Sequence, residues 1–228
     1  MLGQCTHKAF DVNKERMLRV ARYSAQCFHE LNEEVALDYD VRMKGTLEVF
    51  RSQKEMDGAQ GDVEILKKCD VPHEMIDVAG CIKHEPALGN VKEKIVGGLY
   101  LPGDGTGDCY KFTNALAEQC KKLGVNFMME TEINSIETAA GSITGVQTSA
   151  GKLTADKYVV ALGTYSPFIL GKIGIKTPIY PLKGYSLTMP ITDESKAPVS
   201  TVMNQKYKVA VTRFDDRIRV GGIAEIAN

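Results

Sequence analysis

A segment near the middle of the chain constrains the fold most, because it predicts a buried strand that runs directly into a tight turn and a new helix. It reads KYVVALGTYSP and spans residues 157–167. Gly163 has no Cβ and lets the main chain approach a ligand closely, while Ser166 followed by Pro167 is typical of a helix N-cap and a first-turn proline. Free N–H groups at such a helix start are how dinucleotide-binding sheets hold phosphate. The segment therefore predicts part of a nucleotide-binding sheet.

The glycine fingerprint that normally accompanies such a sheet, G-x-G-x-x-G between a strand and a helix, does not occur in this sequence. The nearest approach is LPGDGTGD at 101–108, where Asp108 stands in the position of the third glycine. The carboxylate of Asp108 would occupy and repel anions from the helix N-terminus that must hold pyrophosphate. We therefore predict a turn with an acidic helix cap here rather than a phosphate loop.

Composition excludes several classes of protein. The 228 residues are 43% hydrophobic and 25% charged, and 28 basic against 29 acidic residues leave a net charge of -1, so no overall field favours nucleic acid. No apolar run approaches the roughly 20 residues of a membrane span, and the start of the chain carries no hydrophobic signal core. Six cysteines without a C-x-x-C pair favour reduced thiols and no metal site. We expect a cytoplasmic protein.

Hydrophobic periodicity predicts the elements along the chain. Helices are expected over 13–34, 53–68 and 108–122, with Asn13 as the cap of the first and a single helical turn over 79–84. Strands are expected over 45–50, 73–78, 94–101, 125–130, 133–137, 143–149, 152–154, 157–162, 185–189, 206–214 and 218–226. The last two strands form a hairpin with a tight turn at Asp215 and Asp216, and its basic side chains are expected to form a solvated face.

These patterns divide the chain into three regions. Residues 1–93 are mixed, 94–174 form a βα unit, and 175–228 are rich in strands. We predict an α/β fold (mixed α+β) in which the middle region belongs to a nucleotide-binding domain, while the first and third regions together form a mixed sheet that covers the cofactor.

Four blocks carry a resemblance to a known family: GGLYLPGDGTGDCYKF (97–112), DKYVVALGTYSPFIL (156–170), YPLKGYSLTMPI (180–191) and YKVAVTRFDDRIRVGGIAEI (207–226). They resemble the D-amino acid dehydrogenase small-subunit family of the D-amino acid oxidase-like superfamily, and the likeness extends to 13–24, 45–51 and 85–88. The resemblance implies a partial FAD-binding Rossmann-like domain interleaved with a mixed-sheet substrate domain. It also implies an internal piece that lacks the N-terminal G-x-G-x-x-G unit and a C-terminal segment.

The resemblance assigns site residues but no catalytic acid or base. The implied cofactor contacts are Ile133, Leu162, Gly163 and Thr164. The implied walls of the substrate pocket are Lys183, Gly184, Tyr185, Gly221 and Gly222.

The reaction implied by the resemblance is oxidative deamination of a D-amino acid, D-alanine first, with hydride passing to flavin N5 and the imine hydrolysing to a 2-oxo acid and ammonia. The protein would chiefly orient the substrate and tune the flavin. The family implies a respiratory electron acceptor and peripheral association of the intact enzyme with the bacterial inner membrane. Without the glycine-rich unit, we expect this chain alone to bind FAD weakly or not at all.

Two other interpretations remain open on the sequence. One is a related FAD enzyme, either an amine oxidase of the sarcosine or glycine type or a 2-hydroxy acid dehydrogenase, because these share the architecture and differ in pocket side chains. The other is a non-catalytic α/β binding module.

Overall fold

A computed structural model of the chain describes residues 6–226. They fall into two compact units. The first comprises the described residues up to Gln119 together with Tyr185–Ile223, and the second comprises Cys120–Gly184 together with the described residues after Ile223. The first unit is thus assembled from two separate stretches of chain, and it includes the strand Gly97–Leu101, which was predicted as part of the 94–174 region. The assignment of 94–174 to cofactor binding and of 1–93 and 175–228 to substrate binding stays a prediction.

Six α-helices are formed by the described residues: α1 His7–Glu34, α2 Gln53–Gly58, α3 Gln60–Lys68, α4 Val78–His84, α5 Cys109–Lys122 and α6 Ser166–Gly171. Short 3₁₀ helices span Pro86–Lys94, Gly163–Tyr165 and Glu194–Lys196. The strands are β1 Thr46–Phe50, β2 Glu74–Ile76, β3 Gly97–Leu101, β4 Ile133–Ala139, β5 Ser142–Thr148, β6 Gly151–Leu153, β7 Leu182–Pro190, β8 Thr201–Asn204, β9 Val209–Phe214 and β10 Arg217–Ile226. Among residues 6–226, no helix combines the length and apolarity needed to cross a bilayer.

A seven-stranded mixed sheet, in the order β2-β3-β1-β8-β9-β10-β7, forms the centre of the first unit. Strand β1 pairs antiparallel with β3 and parallel with β8, which places Leu47 opposite both Tyr100 and Val202. Strands β8, β9 and β10 form an antiparallel meander. The pairing of β1 with β8 joins the two stretches of chain, so the predicted mixed sheet is confirmed.

Both faces of this sheet are covered, because successive side chains of a strand point in opposite directions. Leu47 and Val49 pack with Cys81 of α4 on one face. Phe50 packs with Val63 of α3 on the other. These two clusters are the core of the first unit.

Helix α1 is confirmed, but it begins earlier than predicted. Its N-cap is Thr6, whose hydroxyl accepts a hydrogen bond from the N–H of Ala9 at 3.2 Å, so Asn13 is an interior residue and not the cap. Met17 and Val20 of its apolar stripe are 66% and 69% exposed. The helix is instead attached to α3 through polar groups on another face, including an ion pair between Lys68 and Glu15 at 2.8 Å.

The predicted single helix over 53–68 is wrong, because it is broken into α2 and α3 at Ala59. Gly58 and Gly61 flank the break, and glycine costs about 1 kcal/mol in a helix interior relative to alanine. Ala59 is buried in the core cluster of α3. The break lets α3 turn its apolar side toward the sheet.

The second unit contains an antiparallel meander of β4, β5 and β6, which confirms the predicted hairpin. The predicted strand over 125–130 is wrong, since this segment is irregular and ends in a turn with Glu130 at φ 55°. Gly124, at φ 86°, ends α5, and the N–H of Val125 folds back onto the carbonyl of Cys120 at 3.0 Å. No described strand lies alongside to pair with the apolar residues that follow.

Candidate active site

Residues 157–162, predicted as a buried strand, are irregular and largely exposed, with Val159 91% exposed. The strand prediction is wrong for the described structure. A buried parallel strand is held by hydrogen-bonded neighbours on both edges, and no described strand lies on either edge of this segment. The segment therefore presents its backbone and apolar side chains to solvent.

The predicted turn at Gly163 is present. Gly163 opens the 3₁₀ helix Gly163–Tyr165 at φ 53°, a conformation that favours glycine, and no atom lies within 4 Å of the position its Cβ would take. Leu162 before it is half-buried, and Thr164 after it is exposed. A flat ligand can therefore approach the main chain closely at this turn.

Helix α6 follows the turn directly, but Ser166 does not cap it. Tyr165 is the N-cap and makes no side-chain capping bond, while Ser166 has helical angles (φ -53°, ψ -42°) and is buried. A capping side chain requires a non-helical backbone, so the predicted cap is wrong. Pro167 lies in the first turn as predicted.

The fourth predicted cofactor residue, Ile133, begins β4 and is exposed. It lies in the same compact unit as Leu162, Gly163 and Thr164. Strand β4 is linked to the end of α6 by the ammonium of Lys172, which donates to the carbonyl of Asn134 at 2.7 Å. The structure thus places all four predicted cofactor residues in the second unit.

The predicted substrate residues are divided between the units. Lys183 and Gly184 belong to the second unit, and Tyr185, Gly221 and Gly222 belong to the first. Tyr185 lies on β7 and the two glycines lie on β10, its neighbour in the sheet. Their roles in the pocket stay predictions.

The two glycines differ in the space around them. At Gly221, opposite Ala210, a Cβ would meet no atom within 4 Å. At Gly222 a Cβ would lie 3.0 Å from a methyl group of Val209 and 3.2 Å from the carbonyl of Lys208. A side chain at position 222 would thus require its neighbours to shift by a few tenths of an ångström, whereas the space beside Gly221 is open.

The glycine-rich turn at 101–108 is a turn with an acidic helix cap, as predicted. A carboxylate oxygen of Asp108 accepts from the N–H of Tyr110 at 2.9 Å and of Lys111 at 3.2 Å at the start of α5. A Cβ on Gly107 would lie 2.6 Å from the ring of Tyr39. This turn is therefore packed against its own chain, and the helix N-terminus is already occupied.

A buried cluster of ion pairs around Asp108 was missed by the sequence interpretation. The guanidinium of Arg217 donates to Asp108 at 2.7 Å and pairs with Asp40 at 2.8 Å, and Lys111 pairs with Asp40 at 2.6 Å. The side chains of Asp40 and Asp108 are 4% and 6% exposed. Arg217 was expected on a solvated face, but it is instead held between two buried carboxylates.

The two carboxyl groups of this cluster keep their charge at neutral pH. Burial raises the pKa of Asp108, but hydrogen bonds from the backbone N–H of Lys111 and from Arg217 outweigh it and leave the pKa below the ordinary value. For Asp40, burial is likewise outweighed by Lys111 and Arg217, so its pKa is also lowered. The cluster fixes β10, which carries Gly221 and Gly222, to the start of α5.

Glu85 is a third buried carboxylate, on the connection between α4 and the 3₁₀ helix Pro86–Lys94. It accepts hydrogen bonds from the N–H of Val199 at 2.6 Å and of Ser200 at 2.9 Å, just before β8. Burial raises the pKa of Glu85 despite these bonds and the nearby charge of Arg42. Glu85 therefore positions the chain that enters β8.

A flavin dinucleotide needs backbone that it can approach closely and a helix N-terminus that holds its pyrophosphate. The open turn at Gly163 meets the first requirement. Two described helices follow a glycine turn, α5 and α6, and neither offers an N-terminus that could hold the pyrophosphate. Asp108 occupies the start of α5, and α6 has only six residues. The described residues fit one wall of a flavin site and contribute no pyrophosphate cradle there.

Comparison with known proteins gives a family match along nearly the whole chain. The sequence model of the DAO family, described as FAD dependent oxidoreductase, matches residues 2–228. D-amino acid dehydrogenase from Sinorhizobium medicae is 54% identical over 227 residues, which is 100% of this chain and 55% of the relative. D-amino acid dehydrogenase from Phenylobacterium zucineum is 52% identical over 227 residues, again 100% of this chain and 53% of the relative. The chain spans about half the length of these curated relatives.

Solved structures of this architecture match as well. L-proline dehydrogenase from P. horikoshii has a TM-score of 0.79 at 25% identity, over 90% of this chain and 54% of its own. Glycine oxidase from Bacillus cereus has a TM-score of 0.79 at 23% identity, over 93% of this chain and 58% of its own. L-alpha-glycerophosphate oxidase from Mycoplasma pneumoniae, solved with FAD bound, has a TM-score of 0.67 at 20% identity, over 83% of this chain and 51% of its own. The last two likenesses concern the fold alone.

Proposed function

Because the chain belongs to the family of FAD-dependent oxidoreductases, we propose that it forms part of an enzyme that oxidatively deaminates D-amino acids, with D-alanine as the first candidate substrate. The observation that carries this proposal is identity of 52% and 54% with two proteins named D-amino acid dehydrogenase, in both cases along the whole chain. The reaction yields an imine, which water converts to a 2-oxo acid and ammonia.

FAD, when bound, supplies the acceptor for the hydride that leaves the substrate Cα. The open backbone at Gly163 and the exposed side chain of Thr164 would bind one side of the cofactor. Tyr185 and Gly221, on neighbouring strands, would form the pocket wall that orients the substrate Cα–H, and the open space beside Gly221 leaves room for a small side chain. We assign no catalytic acid or base, since orientation suffices for this step.

The chain by itself is proposed to bind FAD weakly or not at all. The support is the absence of a pyrophosphate cradle at the starts of α5 and α6. Purification of the 228-residue chain in the presence of FAD, followed by gel filtration, tests this proposal. A flavin absorbance spectrum that stays with the protein would contradict it.

The remaining assignments rest on the resemblance of the four sequence blocks to the family. We propose that electrons pass to a respiratory acceptor and that the enzyme is cytoplasmic and associates peripherally with the bacterial inner membrane. Cell fractionation tests this proposal, with the enzyme expected in the membrane fraction and released by high salt. Activity found only in the soluble fraction would refute the membrane association.

A second candidate is oxidation of an imino acid or secondary amine, favoured by the likeness to L-proline dehydrogenase at 25% identity. Dye reduction by the protein that contains this chain, measured with D-alanine, L-proline, sarcosine and glycine in parallel, distinguishes the two. We expect D-alanine to give the highest kcat/KM. Turnover of L-proline or sarcosine without turnover of D-alanine would replace the first candidate by the second.

The predicted pocket wall is tested by Gly221→Val in the same protein. A valine suits a strand and fills the open space at this position, so we expect a higher KM for D-alanine with the fold retained. Gly61→Ala is the matched control, because its Cβ also meets no atom within 4 Å but lies on α3. An unchanged KM in the Gly221→Val variant would remove Gly221 from the pocket.

A further inference from the structure

An apolar pocket of about 240 Å³ lies in the first unit, on the face of the sheet that carries Val49. Its floor is formed by side chains of β1, β8 and β9 that share this face, because Val202 pairs with Val211 in the sheet. Its wall is the 3₁₀ helix Pro86–Lys94, which contributes Leu88 and Val91. At Val91 the backbone departs from helical angles (φ -139°, ψ 22°), so the wall is interrupted beside the pocket.

Two cations lie at the edge of this otherwise apolar pocket. Arg51 follows the end of β1, Lys94 ends the 3₁₀ helix, and both side chains line the pocket and are exposed. Within residues 6–226 neither side chain forms an ion pair, although Glu55 accepts from the backbone N–H of Arg51 at 2.8 Å. By contrast, Arg213 and Arg217 of the nearby hairpin are paired with Glu194 and with buried aspartates. The charges at the pocket edge are therefore available to an anion.

The position of Arg51 is restrained by its neighbours. Its guanidinium lies over the ring of Tyr207 at 5.5 Å from the centroid. Asn204, which also lines the pocket, is fixed through its carbonyl oxygen, which accepts from the N–H of Tyr207 at 3.2 Å. This bond leaves the amide NH₂ of Asn204 as a further donor. An anionic group at the edge would thus meet two cations and one amide.

We propose that this pocket binds an aliphatic monocarboxylate of about six to eight carbons. A cavity of about 150 Å³ accommodates benzene, so about 240 Å³ holds roughly ten non-hydrogen atoms, the size of octanoate. The alkyl chain lies on the valine floor, and the carboxylate meets Arg51 and Lys94. Sugars do not suit this lining, because seven of its ten residues are aliphatic and only Arg51, Lys94 and Asn204 offer side-chain hydrogen bonds.

Titration calorimetry of the 228-residue chain with sodium octanoate tests the proposal. We expect saturable binding. Hexanoate, which has two methylenes fewer, should bind about fifteenfold more weakly, because each buried methylene changes the affinity about fourfold. Octan-1-ol, which has the same chain without the charge, should bind at least tenfold more weakly. No heat of binding at millimolar octanoate, or equal binding of octan-1-ol, would overturn the proposal.

Variants locate the site. Arg51→Gln and Lys94→Gln should each weaken octanoate binding about five- to tenfold. Lys92→Gln is the matched control, because Lys92 lies on the same 3₁₀ helix, is exposed and does not line the pocket. Equal weakening by Lys92→Gln and Lys94→Gln would show general charge attraction and refute the site. Val209→Phe, which fills the floor, should abolish binding, and retained affinity in that variant would also refute it.

Discussion

Asp108 supports the start of α5 in two ways, and replacing it with alanine should lower the free energy of unfolding by about 2–3 kcal/mol. As a helix cap it accepts from two backbone N–H groups, and loss of such a cap typically costs about 1 kcal/mol. As a buried anion it also neutralises Arg217, and removal of one partner of a buried pair costs about 3–5 kcal/mol. Arg217 is 23% exposed and keeps Asp40 as a partner, so we reduce that second contribution to about 1–2 kcal/mol.

Asp77→Ala isolates the capping contribution. Asp77 caps α4 by accepting from the N–H of Gly80 at 2.8 Å, and it is exposed and takes part in no ion pair among the described residues. We expect this variant to lose about 1 kcal/mol. Urea unfolding followed by circular dichroism measures the free energy of unfolding of both variants, which falls by about 2 kcal/mol for each molar of urea. The midpoint should fall by about 1 M or more for Asp108→Ala and by about 0.5 M for Asp77→Ala. Equal shifts would refute the contribution of the ion pairs.

Buried ionisable groups of the first unit also determine how its stability and reactivity depend on pH. Because the pKa values of Asp40 and Asp108 are lowered on folding, their stabilisation is present above the unfolded value of about 3.9 and is lost as the pH falls through the lower folded values. Urea midpoints should therefore decrease steadily below about pH 4, and a midpoint that rises over that range would contradict the assignment. Glu85→Ala leaves two N–H groups just before β8 without an acceptor, and it should lower the free energy of unfolding by about 2–4 kcal/mol. The control Glu93→Ala, at an exposed position, should lower it by less than about 0.5 kcal/mol. Similar losses in the two variants would exclude this role of Glu85. Burial raises the pKa of the Cys81 thiol to about 11. At pH 8 a thiol reagent should therefore label an exposed cysteine such as Cys109 long before Cys81, which peptide mass spectrometry measures. Labelling of both cysteines at the same rate would contradict the buried position of Cys81.

The parts of the fold that the sequence predicts correctly are those decided by neighbours along the chain. Asp108 is followed at once by the helix it caps, and Asp215 and Asp216 lie between two strands that pair with each other. In both places the turn residues and the hydrophobic pattern that predict the structure lie within one short segment of the chain. The mixed sheet was predicted from the strand-rich end of the chain and from the resemblance.

The incorrect predictions have a common physical cause. The apolar run at 157–162 satisfies the pattern of a buried strand, but a strand forms only beside a partner, and none is present among the described residues. The buried pairing of Arg217 with Asp40 depends on two segments that are distant in sequence and on a left-handed backbone at Asp40 (φ 55°). Nothing in the local sequence around either residue indicates such a contact.

The same limit applies to the candidate site. Gly163 could be recognised because a glycine after an apolar run has a local signature, and its left-handed φ agrees with that reasoning. The apolar pocket beside Val91 could not be recognised, because its lining comes from three strands and a 3₁₀ helix that are brought together only by the parallel pairing of β1 with β8. A pattern of single residues does not encode such a surface.

We propose that this chain belongs to an enzyme that passes hydride from a D-amino acid to FAD. Anaerobic mixing of D-alanine with the natural protein that contains this chain, followed through the flavin absorbance, tests it most directly. We predict that D-alanine bleaches the flavin band and that L-alanine at the same concentration does not. A protein without bound flavin, or a flavin that D-alanine leaves oxidised while L-proline or glycine reduces it, would contradict the claim.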